Sequence, residues 1–244
     1  MNKELKVDEM TVRMSNQCNL SCMYCYTDSK TDNTNILSVE EIKRAIDIAN
    51  PRVIAFSGGE PLLRHDDVIE LCGYFYEKTK NEKHRRIRIE TNGTIDFDFD
   101  RLSSVVKDKS ALSFNTSLDG FADITDKQRG EGVFSAASSF AKDSVNAGFW
   151  TTIKGTVPAD FLIKNEEYYY NFVLYCRNNL QVDRVRLGTI KDSGRGEFIA
   201  RNETKDRESL YNVFDAIGLS AFVVIGSEVA CSKGFLDNGF IIVF

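Results

Sequence analysis

Six times in succession a short β-rich run is followed by a longer amphipathic run, an alternation that restricts the chain to parallel βαβ units. Strands are predicted over 10–14, 53–56, 87–90, 112–116, 151–157 and 184–187, with a last one over 221–225. Helices are predicted over 39–49, 66–80, 99–106, 133–147, 166–180 and 206–217. Ser38, with Glu41 three residues on, gives the first helix a capping box. The fold expected is α/β: a partial (β/α)6 TIM-like barrel whose active face is built from the loops after the strand ends. No linker-like stretch interrupts the order, so residues 1–225 are expected to form one domain. Residues 226–244 read as a short C-terminal extension, in which Asp237-Asn238-Gly239 between apolar residues predicts a β-hairpin.

Composition narrows the function. With 31 basic against 36 acidic side chains, the formal charge is −5, which argues against a surface that tracks nucleic-acid phosphates. The one basic run, Lys83-His84-Arg85-Arg86-Ile87-Arg88, has no interleaved aromatic residues and reads as a solvated helix-to-strand junction. The charged start MNKELKVDEM lacks the apolar stretch of a secretory signal, and the longest apolar runs, 221–225 and 240–244, are too short to span a bilayer. A cytoplasmic protein with neither nucleic-acid nor membrane partners is expected.

Half of the six cysteines fall within eight residues, as Cys18-x-x-x-Cys22-x-x-Cys25 directly after the first strand. Such clustering in a reducing compartment suggests a metal group. Three thiolates can bind three irons of a cubane cluster and leave one iron open, whereas a Cys3His zinc site needs a fourth ligand from His65 or His84. The spacing favours iron and sulfide, with zinc the alternative. Cys72 and Cys176 lie in helical apolar patterns and are expected to be buried, and Cys231 has no assignment.

The next three strands end in loops that suit a polar ligand. Gly58-Gly59-Glu60-Pro61 follows the second, Glu90-Thr91-Asn92-Gly93 ends the third and Ser117-Leu118-Asp119-Gly120 the fourth. Each alone could be a simple glycine turn. Together with the cysteine loop they form four successive strand-end loops rich in ligand groups.

CNLSCMYC, GGEP, ETNG and SLDG, in this order, closely resemble the motifs of the radical S-adenosylmethionine (SAM) enzymes over about residues 12–195. The resemblance implies a [4Fe–4S] cluster on Cys18, Cys22 and Cys25, with SAM on the open iron. Glu60 would take the SAM amino group, and Gly58 and Gly59 would supply backbone contacts. Tyr24 would lie beside the adenine, with Ser117, Asn92, Asp119 and Lys154 lining the ribose and carboxylate side. The implied activity is reductive cleavage of SAM to a 5′-deoxyadenosyl radical that abstracts a substrate hydrogen. Flavodoxin or ferredoxin would supply the low-potential electron. SLDG, then TDKQRG and later SGRGE, is similar to the peptide-modifying branch that includes anaerobic sulfatase maturases and often carries a SPASM or twitch extension. That likeness implies a peptide or protein substrate. A glycyl-radical activating enzyme is the competing enzyme reading, and a zinc-stabilised binding module the non-enzymatic one.

Overall fold

The computed structural model describes residues 7–30, 36–191, 193–201, 223–225 and 241–243. Eight strands form one sheet: β1 (Glu9–Arg13), β2 (Val53–Ser57), β3 (Arg86–Thr91), β4 (Leu112–Ser117), β5 (Trp150–Val157), β6 (Arg184–Thr189), β7 (Val223–Ile225) and β8 (Ile241–Val243). Their order is β7-β6-β5-β4-β3-β2-β1-β8. Every neighbouring pair is parallel. β7 and β8 stand at opposite edges, so the sheet is open, a partial barrel as the alternation predicts. The expected hairpin turn at Asp237–Gly239, like Cys231 and the helix over 206–217, lies outside the described residues. Beyond that turn, β8 runs parallel to β1 as an edge strand and is not an antiparallel arm against it.

Eight α-helices are described: α1 (Val39–Ala49), α2 (His65–Thr79), α3 (Phe99–Val105), α4 (Ala122–Arg129), α5 (Val133–Asn146), α6 (Ala159–Lys164), α7 (Glu166–Asn178) and α8 (Glu197–Arg201). The capping box forms at α1, where the Ser38 and Glu41 side chains each bond the other's backbone N–H. α4 was not expected, because in ADITDKQR only Thr125 and Gln128 are buried. No described helix is long and apolar enough to cross a membrane.

Side-chain alternation gives the sheet two unlike faces. One face sends Met10, Val12, Ile54, Phe56, Ile89 and Phe114 into a core with Ile46, Leu71 and Phe75 from the helices. Ile153, Val185 and Leu187 join Phe172 and Val173 of α7 in a second cluster. Cys72 is fully buried in the first cluster and Cys176 in the second, as expected. In α7, Tyr169 is buried and the Tyr168 hydroxyl donates to Asp123 and accepts from the Phe121 N–H, so both serve packing. Among the described residues, the other face of the sheet carries no apolar cluster. There stand Arg13, Arg88, Glu90, Asn115, Lys154 and Arg186, all polar and most only half-buried.

Candidate active site

The loop after β1 holds Cys18, Cys22 and Cys25 as free thiols. It closes on itself through the Cys18 N–H to the Lys30 carbonyl (3.0 Å) and the Lys30 N–H to the Asn16 carbonyl (3.2 Å). Donors surround the sulfurs: the Leu20 N–H lies 3.4 Å and Asn92 Nδ2 3.9 Å from Cys18 Sγ, and the Thr27 hydroxyl 3.2 Å from Cys25 Sγ. Burial pushes the Cys18 thiol up to about 11 and also raises Cys22. At Cys25 burial is outweighed by the Thr27 hydroxyl, the Ser29 and Thr27 backbone and the Arg195 charge, which together hold the thiol below its usual value.

The GGE loop packs directly on this segment. The Gly59 N–H bonds the Ser15 carbonyl (2.9 Å) and the Glu60 N–H the Gln17 carbonyl (2.8 Å). A Cβ at Gly59 would sit 2.0 Å from the Gln17 oxygen, so only glycine permits this approach. Glu60 itself is 1% exposed. Its Oε1 accepts from the Leu62 N–H (2.9 Å) and the Thr91 hydroxyl (2.8 Å), and its Oε2 from the Asn92 N–H (2.7 Å). Burial pushes this carboxyl up to about 7, against the pull of the Asn92, Leu62 and Thr91 donors. The carboxylate expected to meet an amino group therefore staples the β2 loop to the β3 loop. Glu60→Gln would turn an amide N–H₂ on the Asn92 N–H and lower stability by about 1–3 kcal/mol, the cost of an unmatched buried donor. Urea unfolding checks this, and an unchanged midpoint would contradict the staple.

Asp119 is likewise buried, at 0%. Arg129 grips it with Nε and Nη2, both at 2.8 Å, while the Thr156 N–H (2.8 Å) and the Tyr24 hydroxyl donate to the same carboxylate. The Arg129 guanidinium also lies 5.4 Å from the centre of the Tyr24 ring. Tyr24 and Asp119, expected at the nucleoside, thus anchor the cysteine loop to the β4 end. Asn92 is similarly engaged, bonding Asn19, Cys18 and the Thr94 N–H and hydroxyl. Ser117 and Lys154 are the predicted residues that stand at the sheet's upper rim. Ser117 is half-buried, and the Lys154 side chain is 38% exposed while bonding Glu90 at 2.7 Å. They face each other across β4 and β5.

Arg129 and Arg195 carry roles that residue-by-residue reading missed. Their signal is the Arg-Gly pair in each of TDKQRG and SGRGE. Arg195 donates from Nε to the Cys22 carbonyl (2.8 Å) and from Nη1 to Asp28 (2.7 Å) and the Ser29 carbonyl (3.1 Å), and its own N–H bonds the Cys25 carbonyl (3.0 Å). Gly194 has φ +56° and would place a Cβ 2.4 Å from the Cys25 oxygen. This clamp reaches the cysteine loop from beyond β6.

The radical SAM superfamily profile matches residues 12–158, more than half of the chain, and spans all four motif loops. The chain belongs to the radical SAM superfamily. Enzymes of this superfamily use a [4Fe–4S] cluster and SAM and draw an electron from a reductant. Among curated proteins, the radical SAM chain is 36% identical over 169 residues to the Fe-coproporphyrin III synthase of Methanosarcina barkeri, covering 63% of this chain and 40% of that protein. It is 35% identical over 113 residues to a probable GTP 3′,8-cyclase of Methanothermobacter thermautotrophicus, covering 44% of this chain and 35% of that one. The match therefore spans well under half the length of either relative. Among solved structures, SuiB of Streptococcus suis bound to its precursor peptide SuiA superposes with a TM-score of 0.72 at 17% identity, over 93% of this chain and 50% of SuiB. That likeness shows the fold.

The donor set fits the cluster. Three thiols share one loop with hydrogen-bond donors aimed at sulfur, and the other described cysteines are sealed in helices. Among the described residues, no three His, Cys, Asp or Glu groups gather tightly enough to hold a single metal ion.

Proposed function

We propose that this radical SAM enzyme holds a [4Fe–4S] cluster on Cys18, Cys22 and Cys25 and abstracts hydrogen from a peptide or protein segment at the open mouth of the sheet. The observation that carries the reading is the clamped three-thiol loop at the end of β1, fixed by the GGE loop, the Tyr24–Asp119–Arg129 network and Arg195. Together, cluster and SAM supply a one-electron reduction that generates a radical able to break a C–H bond. The chain's own part is placement. Ser117 and Lys154 offer a hydroxyl and an ammonium to the polar end of SAM, the backbone of Gly58 and Gly59 offers close approach, and the buried staples keep the loops rigid. A peptide is favoured by the open edge-to-edge sheet, by the SLDG to Arg-Gly region, and by the fold shared with SuiB, whose solved complex holds a precursor peptide. A low-potential flavodoxin or ferredoxin would serve as reductant in the cytoplasm.

The test is anaerobic reconstitution with iron and sulfide. Wild-type protein is expected to show [4Fe–4S] absorption and, once reduced, to convert SAM to methionine and 5′-deoxyadenosine. Protein that binds one zinc and consumes no SAM would refute this reading.

A further inference from the structure

Two arginines reach the cysteine loop, and their donors are filled differently. Arg129 turns Nε and Nη2 onto one carboxylate, Asp119, so both of those donors and its charge are met. Arg195 spends the same side of its fork on the loop itself. Its Nε donates to the Cys22 carbonyl at 2.8 Å, but Nη2, buried beside it, has no hydrogen-bond partner among the described residues. A guanidinium is planar, and the N–H of Nε and one N–H of Nη2 leave it side by side. The unfilled donor is therefore directed along the same side as the bond to Cys22. The backbone N–H of Arg195 holds the Cys25 carbonyl at 3.0 Å, so one residue spans the last two thiols of the loop. Its charge is also the less balanced of the two. Asp28 takes Nη1 at 2.7 Å, yet the same carboxylate faces Lys30 at 3.6 Å, and its side chain is 49% exposed. Two cations share one carboxylate that water screens.

Resting on the cluster reading above, we infer that Arg195 is a positioning residue for the [4Fe–4S] group: Nη2 is kept free to donate to its sulfur, and the guanidinium charge makes it easier to reduce. A buried donor without an acceptor costs stability, and a sulfur at the cysteine loop would remove that cost. Hydrogen bonds to sulfur and net charge are means by which a protein sets an iron–sulfur potential. Reduction adds one negative charge, so a nearby cation stabilises the reduced form more than the oxidised one. Asp28 opposes Arg195 in this. The arginine does its work from beyond β6, outside the residues 12–158 that the superfamily profile matches.

The test is a redox titration of cluster-loaded, SAM-free protein, with the reduced cluster counted by electron paramagnetic resonance and iron and sulfide assayed in every variant. At the wild-type midpoint, Arg195→Gln should hold the reduced-to-oxidised ratio about tenfold lower, a one-electron shift of about 59 mV to lower potential. Arg195→Lys keeps the charge but not the fork and should recover part of that shift. Asp28→Asn removes the opposing charge at an exposed position and should move the ratio the other way, about threefold higher. Midpoints of Arg195→Gln and Asp28→Asn that both coincide with wild type overturn the inference, since a purely structural brace would change iron content and leave the potential alone. If Arg195→Gln holds no iron, the Asp28→Asn midpoint decides: a rise upholds the inference and an unmoved value overturns it. A shift that appears in Arg195→Gln only after SAM is added also overturns it, because the free donor then serves SAM. Wild-type protein that takes up no cluster refutes the cluster reading instead.

Discussion

Cys22→Ala protein, reconstituted anaerobically with iron and sulfide, should show no stable [4Fe–4S] absorption and no SAM cleavage, a complete loss against wild type. The size of the effect follows from the described thiols. Cys18, Cys22 and Cys25 share the loop, while Cys72 and Cys176 are 0% exposed in the packed faces of α2 and α7 and cannot move to replace a missing ligand without unfolding those helices. Burial pushes Cys72 far above the ordinary thiol value, so it is no source of thiolate. Cys72→Ala therefore serves as the control and should keep both cluster and activity. Wild-type iron content in the Cys22 variant, or its loss in the Cys72 variant, would overturn the assignment of the loop.

The second large effect concerns Asp119. Asp119→Ala should lower unfolding stability by about 3–5 kcal/mol, because it leaves Arg129 buried and uncompensated. For a domain of this length that is a fall in melting temperature of roughly 6–20 °C. The Arg129 side chain is only 8% exposed, and the change also strips the Thr156 N–H and the Tyr24 hydroxyl of their acceptor. Pairing Asp119→Ala with Arg129→Met should recover part of the loss, since an apolar replacement removes the stranded charge. Thermal unfolding of the four proteins closes the cycle. A single-variant loss below about 1 kcal/mol would show that the ion pair is not holding the β4 loop, since exposed pairs are worth that little. The Tyr24 end of the network gives a second readout: the double variant, though restabilised, should lose iron to a chelator faster than wild type.

The fold was largely legible because its physics is local. β1, β3 and β6 alternate their burial, β2, β4 and β5 are short β-rich runs, and α1 carries its own capping box, so pattern alone located them. α4 escaped because its stability comes from two buried polar residues, Thr125 and Gln128, and from flanking contacts. α6 escaped as well, because its six residues are too few to show a helical repeat, and the helix expected over 166–180 is α7 alone. At the site, residue types identified the loops but not what each carboxylate does there. Glu60 and Asp119 look like ligands from their neighbours in the chain. In the structure each carboxylate also accepts hydrogen bonds from other strand ends, Glu60 from Thr91 and Asn92 and Asp119 from Arg129 and Thr156, which their neighbours in the chain do not announce. A sequence position names a chemical group, while the three-dimensional arrangement supplies its partners.

The Arg195 clamp has a consequence for how the protein is made. Cys22 and Arg195 lie 173 residues apart, yet the carbonyl of one is held by the side chain of the other. At ~5–20 residues per second, the ribosome releases the three thiols on the order of ten to thirty seconds before the arginine that braces them. For that interval the thiols belong to a nascent chain whose loop lacks its long-range anchor, exposed to oxidants and to stray metal ions. Iron and sulfide delivered after β6 has joined the sheet meet a finished cradle, so cluster insertion is timed by the folding of the barrel's far side.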